Sequence, residues 1–453
     1  MIPCLWLVSR LPIGFRVMED AELLELATFV AAGREKCCLA DVDREDVHDY
    51  CKHFRFRCKY FVKLTYDKIP DYAKSFQELL EIGKELEFCP YYAQEYCFKN
   101  KEIIVQSYYR RKIPALITVY DECHNLLIPR ELELKIDSLN DIIVQLKNNC
   151  TLVNSSTIKS LVKLKNFAED FSGVIDIKAF LDEESISELL IARKFLMENN
   201  IKSKLGRFLR LLASDVVYSE EGNLIGVRAS RIFPGKKPYV MLSGTMLDEI
   251  KRAFSIDAEI VIPRKRKKGY ILNWLTTSYK EFEENIKAYR KLLFLIRLKF
   301  KFKKIVVFGT NRVLKRFLDM ADYYEEEFIR SEIPESWTGT LFLKARGRFA
   351  EGVDISADAI VMLGAPYLTP EVIQRLSRTY KRLGFENYWS LATDIPMLIT
   401  TLQCIGRVTR NPTDEPLIIL ADSRYRRFKQ LEKHLELEEI DKLDKIIKLK
   451  RNN

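Results

Sequence analysis

The sequence has little that would break or staple a chain. Of its 453 residues only 17 are glycine and 15 proline, which excludes collagen-like and low-complexity classes. Hydrophobic residues make up 47% and charged residues 30%, too apolar a mixture for a largely disordered protein. No run of about 18 apolar residues occurs, so the sequence offers no helix able to span a bilayer. The apolar start, Met1 to Val8, has neither the basic n-region nor the small-residue cleavage site of a signal peptide. These absences predict a cytoplasmic, globular protein. At about 150 residues per domain its length predicts roughly three domains. A formal net charge of +10 permits a polyanionic partner without requiring one.

Cysteine is sparse except in one place. Cys37, Cys38, Cys51, Cys58, Cys89 and Cys97 fall within 61 residues, and only four others occur elsewhere. In a reducing compartment such clustering points to a metal rather than to disulfides. Around this cluster the pattern is α/β. Leu5 to Val8 predicts a strand, Glu19 to Val30 a helix, and residues 37 to 89 an irregular, cysteine-rich stretch. Ala115 to Tyr120 is an apolar, partly β-branched run that stops at Asp121-Glu122, as a buried parallel strand does before a functional loop. Leu132 to Leu212 predicts a helical insertion. A hairpin turning at Glu221-Gly222-Asn223 and a short strand over Tyr239 to Leu242 then return the chain to a sheet. Beyond Asp248, apolar runs at Ile305–Phe308, Thr340–Leu343, Ala359–Met362 and Leu417–Leu420 alternate with charged helical segments, a doubly wound pattern. Phe428 to Asn453 predicts a charged helix and tail.

Two adjacent carboxylates at the end of a strand lie where nucleotides bind in α/β folds. One can hold magnesium while the other orients water. Asp121 is therefore the expected Mg2+ ligand, and Glu122 the group that polarises water for attack on a γ-phosphate. A solvated strand end with chance acids is the alternative. Gln403 to Arg410 predicts the start of a helix on which Gln403, Arg407 and Arg410 share a face suited to a triphosphate. An exposed basic face is the rival, although Gly406 inside a helix costs about 1 kcal/mol and usually has a packing or functional reason. Gly347 to Asp354 follows a strand, and its two glycines allow close backbone approach. Ser243-Gly244-Thr245 is a hydroxyl-rich strand end of the same kind.

Taken in order, these segments resemble the XPD family of superfamily-two iron–sulfur DNA helicases. Val8-Ser9-Arg10 is similar to motif Ia, Asp121 to His124 to the Walker B box, and Ser243 to Thr245 to motif III. Val307 to Asn311 is similar to motif IV, Gly347 to Asp354 to motif V, and Gln403 to Arg410 to motif VI. The resemblance implies two RecA-like motor domains with an iron–sulfur insertion and a helical Arch-like insertion in the first. The implied boundaries are 1–130 and 236–250 for the first motor domain, 34–92 for the iron–sulfur insertion, 131–235 for the Arch-like insertion and return segment, and 251–453 for the second motor domain. It implies ATP-driven 5′ to 3′ movement on single-stranded or forked DNA, in DNA repair. His124 joins Asp121, Glu122, Gln403, Arg407 and Arg410 as catalytic, while Gly352 and Asp354 join the last three as nucleotide contacts. Ser9, Arg10, Thr310 and Asn311 become DNA contacts.

The cysteines fit the same resemblance. Arg34 to Cys38 resembles the segment holding the first cluster ligand, with Cys38 better aligned than Cys37, and Cys89-Pro90-Tyr91-Tyr92 the segment holding the fourth. Cys51 and Cys58 fall between, which gives a [4Fe–4S] set of Cys38, Cys51, Cys58 and Cys89. A four-cysteine zinc site is the rival, disfavoured because no C-x2-C pair exists; unligated core cysteines are the third possibility. Cations and aromatics interleave from Lys52 to Phe61, so Arg55 and Arg57 are expected to grip DNA. An alternating amphipathic strand is the alternative there.

The sequence departs from the family in one respect. No G-x-x-x-x-G-K-[ST] occurs, and Pro234-Gly235-Lys236-Lys237 lacks both the glycine spacing and the hydroxyl. The expectation is that the natural protein begins upstream of Met1, because the downstream catalytic residues remain. A P-loop supplied by another polypeptide and a DNA-binding paralogue without turnover are the alternatives. Anaerobically purified protein is expected to be brown and to carry about four iron per chain; zinc without iron would overturn the ligand assignment.

Overall fold

The computed structural model describes residues 2–229, 238–245, 247–253, 256, 266–300, 303–328, 333, 336–349, 355–409 and 415–448. The chain divides into two units, Met1–Ser243 and Gly244–Asn453.

The first unit begins with β1 (Ile2–Val8), α1 (Leu11–Glu22) and β2 (Thr28–Ala31). The helix expected over Glu19 to Val30 thus lies earlier in the chain. Proline in its first turn favours the start of α1, and the chain leaves the helix at exposed Leu23 and Leu24. Thr28, Phe29 and Val30 are β-branched or aromatic and fully usable in a buried strand, and tertiary pairing with the sheet decides the matter. The cysteine-rich stretch is helical rather than irregular. It forms α2 (Arg34–Cys37), α3 (Val47–Phe54), α4 (Lys59–Val62), α5 (Phe76–Glu85) and α6 (Pro90–Cys97). The Lys52 to Phe61 run is accordingly the end of α3, a 3-10 turn and the start of α4, not a strand.

β3 (Ile103–Ser107) and β4 (Ala115–Tyr120) follow, and then the insertion. It runs β5 (Arg130–Lys135), α7 (Asp137–Asn149), α8 (Ser155–Asp170), β6 (Gly173–Ile175), α9 (Glu183–Glu198), α10 (Leu205–Leu212), β7 (Val216–Glu220) and β8 (Asn223–Arg228). The expected helices are present, but they pack on a four-stranded antiparallel sheet of order β5-β8-β7-β6. Leu139, Leu161, Leu189, Leu196 and Phe208 fill the space between them. The predicted hairpin forms, with Glu221 and Gly222 both left-handed at its turn. β9 (Tyr239–Met241) returns to the first sheet, whose order β2-β3-β1-β4-β9 is parallel throughout.

The insertion is tied to the cysteine segment by charge. The Arg193 guanidinium on α9 meets Asp46 at 2.9 Å and Asp49 at 2.6 Å, at the start of the helix that carries Cys51. Arg207 meets Glu45 at 2.9 Å nearby. Burial raises the Asp46 carboxyl, and the Arg193 charge opposes that rise.

The second unit contains α11 (Asp248–Ala253), β10 (Lys267–Leu272), α12 (Phe282–Lys299), β11 (Lys304–Gly309), α13 (Asn311–Leu314), β12 (Tyr323–Tyr324), β13 (Gly339–Lys344) and β14 (Ala359–Leu363). It continues with α14 (Pro370–Arg382), α15 (Tyr388–Ala392), α16 (Asp394–Val408), β15 (Leu417–Leu420), β16 (Leu435–Ile440) and α17 (Asp444–Lys448). The seven strands are parallel, in the order β12-β13-β11-β14-β15-β10-β16. Two expectations are corrected. Gln403 to Val408 ends a helix rather than beginning one, because the apolar residues from Ile395 to Leu402 extend it towards the N-terminus. The charged tail contains a strand, β16, whose alternate acids face outward while Leu435 and Ile440 are buried beside β10.

At the carboxyl edge of this sheet one acid acts as a hub. Asp422 is fully buried and accepts hydrogen bonds from the Thr277 amide (3.0 Å) and hydroxyl (3.0 Å), the Ala365 amide (3.1 Å) and the Arg424 side chain (2.7 and 2.8 Å). Burial alone would raise this carboxyl, but Arg424 and the amides hold it below the ordinary aspartate range. Gly364, left-handed at φ +89°, leaves no room for a Cβ against Thr277 in this hub. Gly364→Ala is expected to lower unfolding stability by about 2 kcal/mol or more, through backbone strain and displacement of Thr277; a denaturant midpoint within error of the unaltered protein would refute this.

Candidate functional site

Parallel register brings the chemistry of the first unit to one edge. The Asp121 amide donates to Leu7 O at 2.9 Å, the Tyr108 amide to Val8 O at 3.0 Å, and the Cys123 amide to Leu242 O at 2.9 Å. The ends of β3, β1, β4 and β9 are thereby locked side by side. Asp121 takes one long contact, 3.5 Å, from the Trp6 indole N–H, and burial raises its carboxyl. Glu122 is left-handed, at φ 49° and ψ 48°. A non-glycine residue pays roughly 1–2 kcal/mol for that conformation, and such strain gathers at functional sites. Here the turn swings the Glu122 carboxylate out of line with the strand. His124 is buried; its Nδ1 lies 2.8 Å from Ser243 Oγ and 3.3 Å from Glu122 Oε2. Burial pushes the imidazole down to about 4, so it is neutral near pH 7 and links the acid pair to the Ser243 strand end without carrying charge. Ser9 and Arg10 occupy the turn between β1 and α1 at the same edge.

The cysteine segment gathers four thiols. Burial and the neighbouring Cys58 and Cys51 raise Cys38, with an Ala40 hydrogen bond opposing. Burial brings Cys89 up to about 11, with Cys51 and Cys58 again among its neighbours. Cys37 differs. It is fully buried, receives the Gln94 amide at 3.6 Å, and is raised by burial to about 12. Among the described residues no three His, Cys, Asp or Glu side chains are placed to hold a single metal ion. Cys38 and Cys89 each lie close enough to Cys51 and Cys58 for their charges to interact. Cys97 and Cys123 are buried, and Cys97 meets Pro70 O. Arg55 stacks on Phe56 at 4.6 Å and meets the Tyr92 hydroxyl at 3.4 Å, while Arg57 pairs with Glu198 of α9 at 2.7 Å. The second contact is exposed, so solvent leaves it weak.

In the second unit the loop after β13 and the end of α16 come together. Cys404 Sγ donates to Ala345 O at 3.5 Å, and the Ile355 amide to Arg407 O at 3.0 Å. Gln403 and Arg407 are half-buried. Gly406 faces open space, so packing does not demand its glycine. Gly347 sits against the buried Glu325 carboxylate, which accepts from the Lys344 and Arg348 amides at 2.7 and 3.2 Å. Thr310 precedes α13, and Asn311 Oδ1 accepts from the Tyr324 hydroxyl at 3.5 Å. Gly352, Asp354 and Arg410 lie outside the described residues, as do Pro234 to Lys237. Arg266 bonds Glu432 O and Lys268 pairs with Glu438, each at 2.8 Å.

Glu325, Tyr108 and Asp422 were not legible as site or hub residues. Asp422 carries the same signal as Asp121, an apolar strand ending at an acid, and only its partners tell the two apart.

Comparison with known proteins gives two family matches, DEAD_2 over residues 16–131 and the helicase C-terminal domain over 264–437. An ATP-dependent DNA helicase XPD from Sulfolobus acidocaldarius is 24% identical over 467 residues, 88% of this chain and 82% of that protein. A solved XPD helicase structure covers 97% of this chain and 91% of its own at TM-score 0.63 and 19% identity. The structure of S. tokodaii Xpd4 covers 96% of both chains at TM-score 0.56 and 18% identity. The matches define a helicase with two RecA-like domains. The chain belongs to the XPD family of helicases. Among the described residues no helix is long and apolar enough to cross a membrane.

The buried His124 predicts a pH dependence. With a folded value near 4 against an ordinary 6.5, the unfolded chain binds a proton between these limits that the folded chain does not. Stability is then fully present above pH 6.5 and falls by about 3 kcal/mol towards pH 4. Thermal midpoints measured over this range should show that slope, and His124→Gln should flatten it; an equal slope in the variant would refute the assignment.

Proposed function

We propose that this chain is an ATP-dependent DNA helicase of the XPD type that moves 5′ to 3′ on single-stranded or forked DNA in the cytoplasm and serves DNA repair. The observation that carries this reading is the strand edge where strained Glu122, half-buried Asp121 and neutral His124 meet Ser243. The name of the Sulfolobus relative supports ATP and DNA as substrates. Asp121 would hold Mg2+, its carboxylate engaged by the distant Trp6 donor and the Glu122 amide. Bound there, the ion would neutralise phosphate charge. Glu122 orients the attacking water, and His124 holds Glu122 in place while remaining uncharged. Gln403 and Arg407 meet charge developing on the transferring phosphoryl group, and Arg410, Gly352 and Asp354 are assigned to the nucleotide with them. Ser9, Arg10, Arg55, Arg57, Thr310 and Asn311 are assigned to DNA.

Cys38, Cys51, Cys58 and Cys89 would hold a [4Fe–4S] cluster within an insertion over 34–92. The proximity of Cys38 and Cys89 to Cys51 and Cys58, together with the family resemblance, supports this assignment. Segment 131–235 would act as the Arch-like insertion, and the second motor domain would begin near residue 251.

A second reading is favoured by the sequence itself. With no G-x-x-x-x-G-K-[ST] among its 453 residues, the chain would bind DNA without turning over ATP. Single-turnover and steady-state ATPase assays with single-stranded DNA separate the two. The first reading expects DNA-stimulated hydrolysis, lowered at least about 100-fold by Arg407→Ala with DNA affinity retained; DNA binding without stimulated hydrolysis would establish the second.

A further inference from the structure

Tyr108 has no part in the chemistry above, yet its position is unusual. The residue is 2% exposed, and its hydroxyl has no hydrogen-bond partner among the described residues. Ser9 Oγ, at the end of the neighbouring strand, is likewise buried and unpartnered among them. A buried hydroxyl without an acceptor is costly and uncommon, so each such group needs a reason. The surroundings give one. Tyr108 follows β3 and Asp121 follows β4, and these strands flank β1 on either side. The last two carbonyls of β1 accept their amides, Leu7 O from Asp121 and Val8 O from Tyr108. Between them the chain turns through Ser9 and Arg10 into α1. Burial and the charges of Cys123, Asp121 and Glu122 push the phenol above its ordinary range, so the hydroxyl stays protonated beside the acid pair. It can therefore donate to an oxygen there.

We propose that Tyr108 is a positioning residue whose hydroxyl donates to a water or ligand oxygen shared with Asp121 and Glu122. By this contact it couples the Ser9-Arg10 turn to the acid pair. The inference rests on the helicase reading and deepens it. DNA seated on the turn moves the end of β1, and the Val8–Tyr108 hydrogen bond carries that shift to the phenol. The O–H then completes the hydrogen bonding of the oxygen that Glu122 orients.

Tyr108→Phe tests this directly, because phenylalanine fills the same space and deletes only the hydroxyl. The full chain would be compared with the variant for thermal midpoint, single-stranded DNA affinity, and ATP turnover with and without DNA. The expected result has four parts: a midpoint equal to or higher than that of the unaltered chain, DNA affinity unchanged, KM for ATP unchanged, and DNA-stimulated kcat down about tenfold, the scale of losing an outer partner of a reacting group. A structural role would instead lower the midpoint and leave stimulation per folded molecule intact. Equal stimulation in both proteins overturns the inference and leaves the helicase reading standing. Absence of stimulated turnover in the unaltered chain overturns that reading, and this inference falls with it.

Discussion

Leu7 and Val8 offer the last two carbonyls of β1 to the amides of Asp121 and Tyr108, and the first unit's chemistry depends on that pairing. A parallel sheet aligns all its strand ends in one direction, so whatever follows the strands collects along a single edge. The Ser9-Arg10 turn, Tyr108, the acid pair and Ser243 lie up to 234 positions apart in sequence, yet the register of β3-β1-β4-β9 makes them neighbours. A slip of one residue would turn every side chain of a strand to the opposite face.

The two sheets use acids at equivalent strand ends for opposite purposes. Asp422 is enclosed by amides, a hydroxyl and a guanidinium, all of which satisfy a carboxylate permanently. Asp121 is met by the distant Trp6 donor and the neighbouring Glu122 amide, and burial still raises it. A satisfied carboxylate stabilises the fold and has nothing left for a ligand. An under-satisfied one costs stability and keeps its oxygens available, which is the usual exchange between stability and activity. His124 belongs with the second kind, since burial keeps it neutral while it stays within reach of Ser243 and Glu122.

The Arg193 network shows how a long insertion can be fixed to a small one. Two aspartates at the start of α3 share one guanidinium from α9, and the Arg193 side chain is only 10% exposed. Removing either side would leave charge in a site poor in water, so the contact specifies one arrangement more than it adds net stability. It joins the helix bearing Cys51 to the helical insertion within the first unit.

The sequence alone determined the strands over Leu5–Val8, Ala115–Tyr120, Ile305–Phe308 and Ala359–Met362, the hairpin at Glu221-Gly222, and the strand-then-acid signal at Asp121. Each rests on local apolar periodicity or turn chemistry, which needs no distant partner. Tertiary structure decided the rest. Thr28 to Ala31 became a strand because β3 was beside it, Leu435 to Ile440 because β10 was, and Gln403 to Val408 closed a helix whose buried face begins upstream at Ile395. The left-handed turn at Glu122, the neutrality of His124 and a Tyr108 hydroxyl with no partner among the described residues arise only where strands far apart in sequence meet. Strand pairing and burial are properties of the assembled sheet, and no window of neighbouring residues contains them.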